Sequence, residues 1–145
     1  MGLRPMPARP PFDAHALRDV DWRALFPHGS CYASVGGLGI HNLDAGHGAP
    51  VVMLHGNPTW SYYYRRLARR LSSHFRVIVP DHIGCGLSAR PAADRYYFSL
   101  KARVADFGQL MATLNLSRPV DLVMHDWGGM IAMAWAVRHV SQVRR

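Results

Sequence analysis

Apolar residues gather into three short runs, and the segments between those runs have helical spacing. The runs are PVVMLHG at 50–56, RVIVPD at 76–81 and PVDLVMHD at 119–126. A continuous apolar run of this length is typical of a strand that is buried on both faces, as in a parallel sheet. The order strand, helix, strand, helix, strand, helix predicts an α/β fold, in which helices cover both faces of a mostly parallel sheet.

The helical segments can be placed from their boundary residues. We expect the first helix from about Trp60 to Ser72, with Pro58 at an early helical position where its missing N–H costs nothing. Ser99 predicts the N-cap of the second helix, and its apolar face then ends near Asn115. The third helix is expected over 128–140. Ahead of the first run, 31–45 predicts two short strands around a Gly-Gly turn.

Composition excludes several classes of protein. The chain has 145 residues and a net charge of +8, and 16 of its 17 basic residues are Arg. These Arg are dispersed, the RRLARR cluster at 65–70 predicts the solvated side of a helix, and no nucleic-acid-binding motif accompanies it, so nucleic acid is not an expected partner. No apolar run approaches the roughly 20 residues of a membrane span.

The remaining composition predicts location and domain organisation. Two cysteines, Cys31 and Cys85, give neither a disulfide framework nor metal-ligand spacing, which predicts reduced thiols in the cytoplasm, no metal and no cofactor. Residues 1–12, rich in Pro and Arg and without a secretory apolar core, predict a disordered leader. Residues 13–145 are then expected to form one α/β domain.

Polar residues and glycine follow each of the three predicted strands. The segments are His55-Gly56-Asn57-Pro58, Asp81-His82-Ile83-Gly84 and His125-Asp126-Trp127-Gly128. In parallel α/β sheets, functional residues gather at the carboxyl ends of the strands. These three loops therefore predict the site of any chemistry.

Asp126 lies where a strand turns sharply into a helix between small residues, which is the layout of a nucleophile elbow with aspartate in the place of serine. Because a carboxylate is already anionic at neutral pH, it can attack without a base and form an ester that water later cleaves. The alternative is that Asp126 only caps the following helix, a common role for aspartate. The absence of serine at the apex excludes an ordinary serine esterase.

Three motifs carry a family resemblance over roughly residues 30–145. HGNPTWSYYYR at 55–65, DHIGCGLS at 81–88 and VMHDWGGM at 123–130 resemble the haloalkane dehalogenase group of the α/β-hydrolase superfamily. They also resemble the related β-lactone decarboxylases of bacterial olefin synthesis. The resemblance implies an α/β-hydrolase fold in which the strands that precede Gly56 and Asp126 are neighbours.

The resemblance also implies site residues. Asp126 matches the nucleophile, and the backbone N–H groups of Asn57 and Trp127 match the oxyanion hole. The Asn57 side-chain amide and the Trp127 indole match the pair that holds the departing halide. Such neutral N–H donors stabilise a leaving anion without adding a charge that would attract the nucleophile. The implied substrate is a small apolar haloalkane or β-lactone.

Other polar residues in these motifs predict structural roles. Asp81 and Ser88 belong to a loop signature that is common in the superfamily, so we expect them to hold the loop. Three histidines, His55, His82 and His125, lie at strand ends, but their motif positions do not match the family's general base. We expect them to take part in turn hydrogen bonding or packing.

The resemblance covers only the N-terminal part of such an enzyme. The later strands, the cap, the orienting acid and the general-base histidine are expected to lie outside this chain, which would be truncated or one piece of a split enzyme. The strand before Asp126 would then be an open, apolar edge. Alternatives remain: a β-lactone decarboxylase, an epoxide hydrolase, or a non-catalytic remnant that pairs with another chain. Asn57 favours halide or lactone, because epoxide hydrolases more often carry an aromatic residue there.

Overall fold

The computed structural model describes residues 29–145. The predicted leader at 1–12 and the segment 13–28 lie outside the described residues. Five strands, three α-helices and two 3₁₀ turns follow one another: β1 (Ser30–Val35), β2 (Leu38–Ala45), β3 (Pro50–Leu54), a 3₁₀ turn (Ser61–Tyr64), α1 (Arg65–Leu71), β4 (Arg76–Pro80), α2 (Leu100–Thr113), β5 (Asp121–Met124), α3 (Trp127–Ala136) and a second 3₁₀ turn (Val140–Gln142).

The five strands form one mixed sheet in the order β1-β2-β4-β3-β5. β1 and β2 form the predicted antiparallel hairpin, and β2 also pairs antiparallel with β4. β3 lies at the parallel centre, between β4 and β5, and Leu54 is in register with Met124. The two loops that leave β3 and β5 therefore start side by side, as the resemblance implied.

Each face of the sheet carries its own apolar core, because alternate residues of a strand point to opposite faces. Val52 and Leu54 of β3 join the cluster that α2 and α3 cover. Val51 and Met53 point the other way, into the cluster that contains Ala68 of α1. Helices on both faces confirm the predicted layers.

Helix boundaries follow the predictions with two exceptions: the position of Pro58, and the end of α3, which lies at Ala136 instead of residue 140. Ser99 Oγ accepts a hydrogen bond from the Ala102 backbone N–H at 3.2 Å, so it caps α2 as predicted. Pro58 does not occupy an early helical position: it lies in a turn after a cis peptide bond with Asn57, and the 3₁₀ turn begins only at Ser61. The helical segment lies where the sequence predicted it, but the sequence did not show that a turn of irregular backbone separates Pro58 from its start.

The edge of β5 is also more covered than predicted. The Val120 N–H donates to the Gln142 carbonyl at 2.8 Å, and the Leu122 N–H donates to the Arg145 carbonyl at 2.9 Å. The Arg144 side chain adds an ion pair with Asp121. The last residues of the chain therefore run parallel to the start of β5 and satisfy part of its edge. Within residues 29–145, no helix has the length and apolar character needed to cross a membrane.

Candidate active site

Asp126 occupies a sharp turn between β5 and α3 in a backbone conformation that side chains rarely adopt, with φ 53° and ψ −124°. A non-glycine residue in such a region costs about 1–3 kcal/mol and persists only where the surrounding structure enforces it. Here the register of β5 beside β3 fixes one side of the turn, and the packing of α3 fixes the other. The turn therefore presents the Asp126 side chain beyond the end of the sheet.

Two glycines make room for this turn. A Cβ atom on Gly128 would lie 2.3 Å from the Leu54 carbonyl oxygen, so only glycine lets α3 begin this close to β3. A Cβ atom on Gly56 would lie 2.6 Å from both Cβ and Oδ1 of Asp126. The absence of these two side chains brings the loop after β3 against the carboxylate.

The Asp126 carboxylate accepts a backbone hydrogen bond from the loop after β3. The Asn57 N–H donates to Oδ1 at 2.9 Å. The backbone N–H groups of Trp127 and Asn57 hold the pKa of Asp126 below its usual value, because they stabilise the anion. The side chain makes no capping hydrogen bond to α3, unlike Ser99 on α2. Capping is therefore not what fixes this carboxylate.

A cavity of about 140 Å³ brings the two predicted leaving-group residues together. Its lining residues are Asn57, His82, Phe98, Arg103 and Trp127. Trp127 is 37% exposed, so its indole lies at the mouth rather than in the core. The arrangement can place an anion near two loops whose N–H groups already face Asp126.

Two of the strand-end histidines form a buried pair under this cavity. The His82 backbone N–H donates to Nε2 of His55 at 3.2 Å, and His82 Nε2 bonds the His55 carbonyl at 2.9 Å. Since His55 Nδ1 bonds the Gly56 carbonyl at 2.7 Å, both rings use their N–H groups on carbonyls and remain neutral. Burial lowers the pKa of His55 and lowers that of His82 to about 3.

The third histidine, His125, is exposed and stacks on the Tyr63 ring with centroids 4.8 Å apart. The contacts of all three histidines are those of packing and turn hydrogen bonding, the roles expected for them. None of these contacts aims a ring nitrogen at the Asp126 carboxylate.

Asp81 and Ser88 make the contacts of loop-holding residues. The Asp81 carboxylate is fully buried and bonds Nδ1 of His41 at 2.8 Å. It also accepts the backbone N–H groups of Ser61 at 2.6 Å and Leu87 at 2.9 Å. Ser88 Oγ donates to the Asp81 carbonyl at 2.6 Å.

Two residues of the cavity, Phe98 and Arg103, were not predicted from the sequence. A signal for Arg103 exists: it is the neighbour of Val104 and lies four residues before Phe107, so it falls beside the apolar face of α2 rather than on its solvated side. A charged side chain at such a position indicates a polar partner or a cavity. Among residues 29–145, no group of three or more His, Cys, Asp or Glu residues could hold a metal ion.

Comparison with known proteins settles the family. Residues 49–145 match the family model described as alpha/beta hydrolase fold. The chain belongs to the α/β-hydrolase fold family. The fold class expected from the sequence is thereby confirmed.

Among relatives of this α/β hydrolase, a cis-3-alkyl-4-alkyloxetan-2-one decarboxylase of Shewanella oneidensis is 46% identical over 121 residues, which cover 83% of this chain and 38% of the relative. A haloalkane dehalogenase of Mycobacterium tuberculosis is 43% identical over 105 residues, covering 72% and 36%. The crystal structure of the haloalkane dehalogenase DatA from Agrobacterium tumefaciens superposes with a TM-score of 0.73 at 37% identity, covering 83% of this chain and 41% of DatA.

These likenesses confirm the resemblance to the haloalkane dehalogenase group and to the β-lactone decarboxylases. The chain spans about two fifths of the length of the curated relatives that it matches.

Proposed function

We propose that Asp126 is the nucleophile of a haloalkane dehalogenase-type hydrolase. The observation that carries the proposal is the 2.9 Å hydrogen bond from the Asn57 N–H to Asp126 Oδ1, made at a strained strand-to-helix turn where the carboxylate caps no helix. A carboxylate that is held anionic and exposed at such a turn is free to attack. The reaction is SN2 displacement at a carbon that carries halide.

We infer different tasks for the two carboxylate oxygens. Oδ1 already accepts the Asn57 N–H, so it occupies the place of the oxyanion and would become the carbonyl oxygen of the ester. The other oxygen then forms the new bond to carbon, and the carbon–halogen electron pair leaves with the halide. We assign the halide to the Asn57 amide and the Trp127 indole, which share the cavity. The carboxylate supplies the electron pair, so this step needs no cofactor.

Hydrolysis of the ester needs a base that activates water, and the contacts of the strand-end histidines are not those of such a base. His55 and His82 bond each other, and His125 stacks on Tyr63. We propose that the base and its orienting acid belong to the part of the relatives that this chain does not span, so that the chain alone forms a persistent ester.

Intact-mass spectrometry after incubation with 1-bromohexane tests this function. We expect a stable adduct of one hexyl group with loss of bromide, located on Asp126 by peptide mapping and absent in Asp126→Ala. Asp44→Ala is the matched control, because Asp44 is a carboxylate paired with Arg76 far from the turn. An unmodified chain, or an adduct that survives Asp126→Ala, would reject the nucleophile and favour the non-catalytic partner of another chain.

A β-lactone is the second candidate substrate, and the identity of 46% to the oxetanone decarboxylase supports it. Attack of Asp126 on the ring carbon that bears the lactone oxygen would break that carbon–oxygen bond and release a carboxylate. Loss of CO₂ would then form the alkene and return the Asp126 carboxylate, without water. An epoxide is less favoured, because Asn57 stands where epoxide hydrolases more often carry an aromatic residue.

Adding the part of the relatives that this chain does not span separates the two substrates. The C-terminal part of the Shewanella relative, added in trans, should restore turnover if the halves associate. Halide release from bromoalkanes would support dehalogenation. Alkene and CO₂ from a β-lactone without halide release would support decarboxylation and reject dehalogenation.

A further inference from the structure

A positively charged side chain, Arg103, lines the cavity beside Asp126. The proposed binding of halide by the Asn57 amide and the Trp127 indole does not explain its presence. Arg103 of α2 lines this cavity together with Asn57 and Trp127. Its guanidinium carbon lies 5.9 Å from the centroid of the Phe98 ring, another lining residue. A dehalogenation site with two neutral N–H donors does not require a cation.

Arg103 differs from two other arginines in its ion pairing. Within residues 29–145, Arg76 and Arg144 each form an ion pair with an aspartate, whereas Arg103 forms none within 4.0 Å. Its Nη1 atom is buried without a hydrogen-bond partner. The guanidinium also has a hydrogen bond with the Cys85 side chain, so Nη1 is the donor that lacks an acceptor, and such a buried, unmade hydrogen bond is costly.

Three titratable groups lie near Arg103. Asp106, one turn later on α2, accepts a hydrogen bond from the Tyr96 hydroxyl at 2.5 Å, and burial raises the pKa of its carboxyl. Burial also raises the pKa of the Cys85 thiol, which favours its neutral form. His82 is a neutral member of the histidine pair. Arg103 is therefore the only charged side chain among the residues that line this cavity.

We propose that Arg103 binds the carboxylate that is released when Asp126 opens a β-lactone ring, so that the site accepts this second substrate class besides haloalkanes. The inference rests on the proposed nucleophile. A guanidinium is a planar fork that matches a carboxylate with two parallel hydrogen bonds, whereas a halide is a single atom that two neutral donors already serve. In the ring-opening step, an Asp126 oxygen bonds to the ring carbon and the electron pair of the broken carbon–oxygen bond goes to the carboxylate, so no proton or redox equivalent moves.

Anion binding to the full chain tests the assignment. The background is Asp126→Asn, which prevents alkylation, and the readout is the Trp127 indole N–H signal in an ¹⁵N-correlated NMR spectrum, assigned with Trp127→Phe. Hexanoate and bromide are titrated separately at neutral pH and constant ionic strength. We expect Arg103→Met to weaken hexanoate binding about tenfold or more and to change bromide binding less than about twofold.

Two further variants separate recognition from structure. Arg103→Lys keeps the charge but not the fork, so hexanoate binding should weaken by a few fold, and this variant decides the case if Arg103→Met does not fold. Lys101→Met removes an exposed charge from the same helix and should change neither anion. The assignment is overturned if hexanoate does not bind, if Arg103→Met leaves its affinity unchanged, or if bromide weakens equally.

Failure of this assignment is distinguishable from failure of the nucleophile. Hexanoate binding does not need Asp126 to react, and the hexyl adduct does not need Arg103. An adduct without Arg103-dependent carboxylate binding removes only the role of Arg103. Carboxylate binding without an adduct removes only the nucleophile.

Discussion

Two aspartates follow the strands on either side of β3, and their surroundings give them different uses. Asp81 follows β4, is fully buried, and bonds His41, Ser61 and Leu87. Asp126 follows β5, is exposed, and accepts the Asn57 N–H. Burial alone would raise the pKa of Asp81, but its hydrogen bonds hold that pKa below the usual value, and backbone N–H groups lower the pKa of Asp126. Both are anions, but only one is accessible to a substrate.

Both carboxylates have a lowered pKa, so the pKa alone does not distinguish the proposed nucleophile Asp126 from Asp81. The oxygens of Asp81 are used to join β2, the 3₁₀ turn and the loop after β4, so the charge holds three segments together. Asp126 holds no comparable set of partners, and its backbone conformation is strained. Of these two carboxylates, only that of Asp126 is exposed and therefore accessible for the reaction that we propose.

Asp81→Ala should give the largest change in stability. Removing one partner of a buried, hydrogen-bonded charge typically costs about 3–5 kcal/mol, because the remaining donors, here His41 and the Ser61 and Leu87 N–H groups, lose their acceptor. The free energy of unfolding in urea measures the loss. Asp44→Ala is the matched control: Asp44 pairs with Arg76 but is partly exposed, so the loss should be only about 1 kcal/mol or less.

Equal losses for Asp81→Ala and Asp44→Ala would contradict the division between a structural and a reactive aspartate. If Asp81→Ala yields no folded chain, Asp81→Asn replaces it. That variant keeps the size of the side chain and should still lose more stability than Asp44→Ala.

Acidification should lower the stability of the protein through the buried His82. Its pKa is about 3 when folded, below the usual value near 6.5, so the unfolded chain binds the extra proton as the pH falls through this interval. The free energy of unfolding then falls on acidification, by up to about 1.4 kcal/mol per pH unit for one proton. Above a pH of about 6.5, the contribution of His82 to stability is constant.

Replacement of His82 by Gln should reduce that slope in urea unfolding followed from neutral pH to about pH 4. His47→Gln, in an exposed turn, is the control and should leave the slope as it is. An unchanged slope in His82→Gln would show that the buried histidine pair does not set the acid sensitivity.

Sequence patterns predicted the parts of this molecule that depend on periodicity and chain order. The meeting of the Asn57 and Asp126 loops followed from motifs at the ends of two strands, once the family order of strands was assumed. The histidine pair could not be predicted, because residue type does not fix which carbonyl a ring nitrogen reaches. Arg103 was missed for the same reason, since the position of a long side chain depends on packing.

The cover on the β5 edge was missed for a different reason. The C-terminal residues after Gln142 are few and polar, so they carry no strand periodicity, and their pairing with β5 arises from tertiary contact alone. The prediction for Pro58 was wrong because proline is frequent both at the first positions of a helix and in the turns that precede one.

The smallest effect is expected when the residue before each of two helices, Asp126 and Ser99, is replaced by glycine. Asp126→Gly should stabilise the chain by about 1 kcal/mol, because glycine adopts a positive φ without strain and the exposed carboxylate caps no helix. Ser99→Gly should destabilise it by a few tenths of a kcal/mol, because the hydroxyl that accepts the Ala102 N–H is lost. Urea unfolding of both variants gives the two signs. If Asp126→Gly instead lowers the free energy of unfolding as much as the loss of a helix cap does, the Asp126 carboxylate has a structural role like that of Asp81. The proposed difference between the two aspartates would then be wrong.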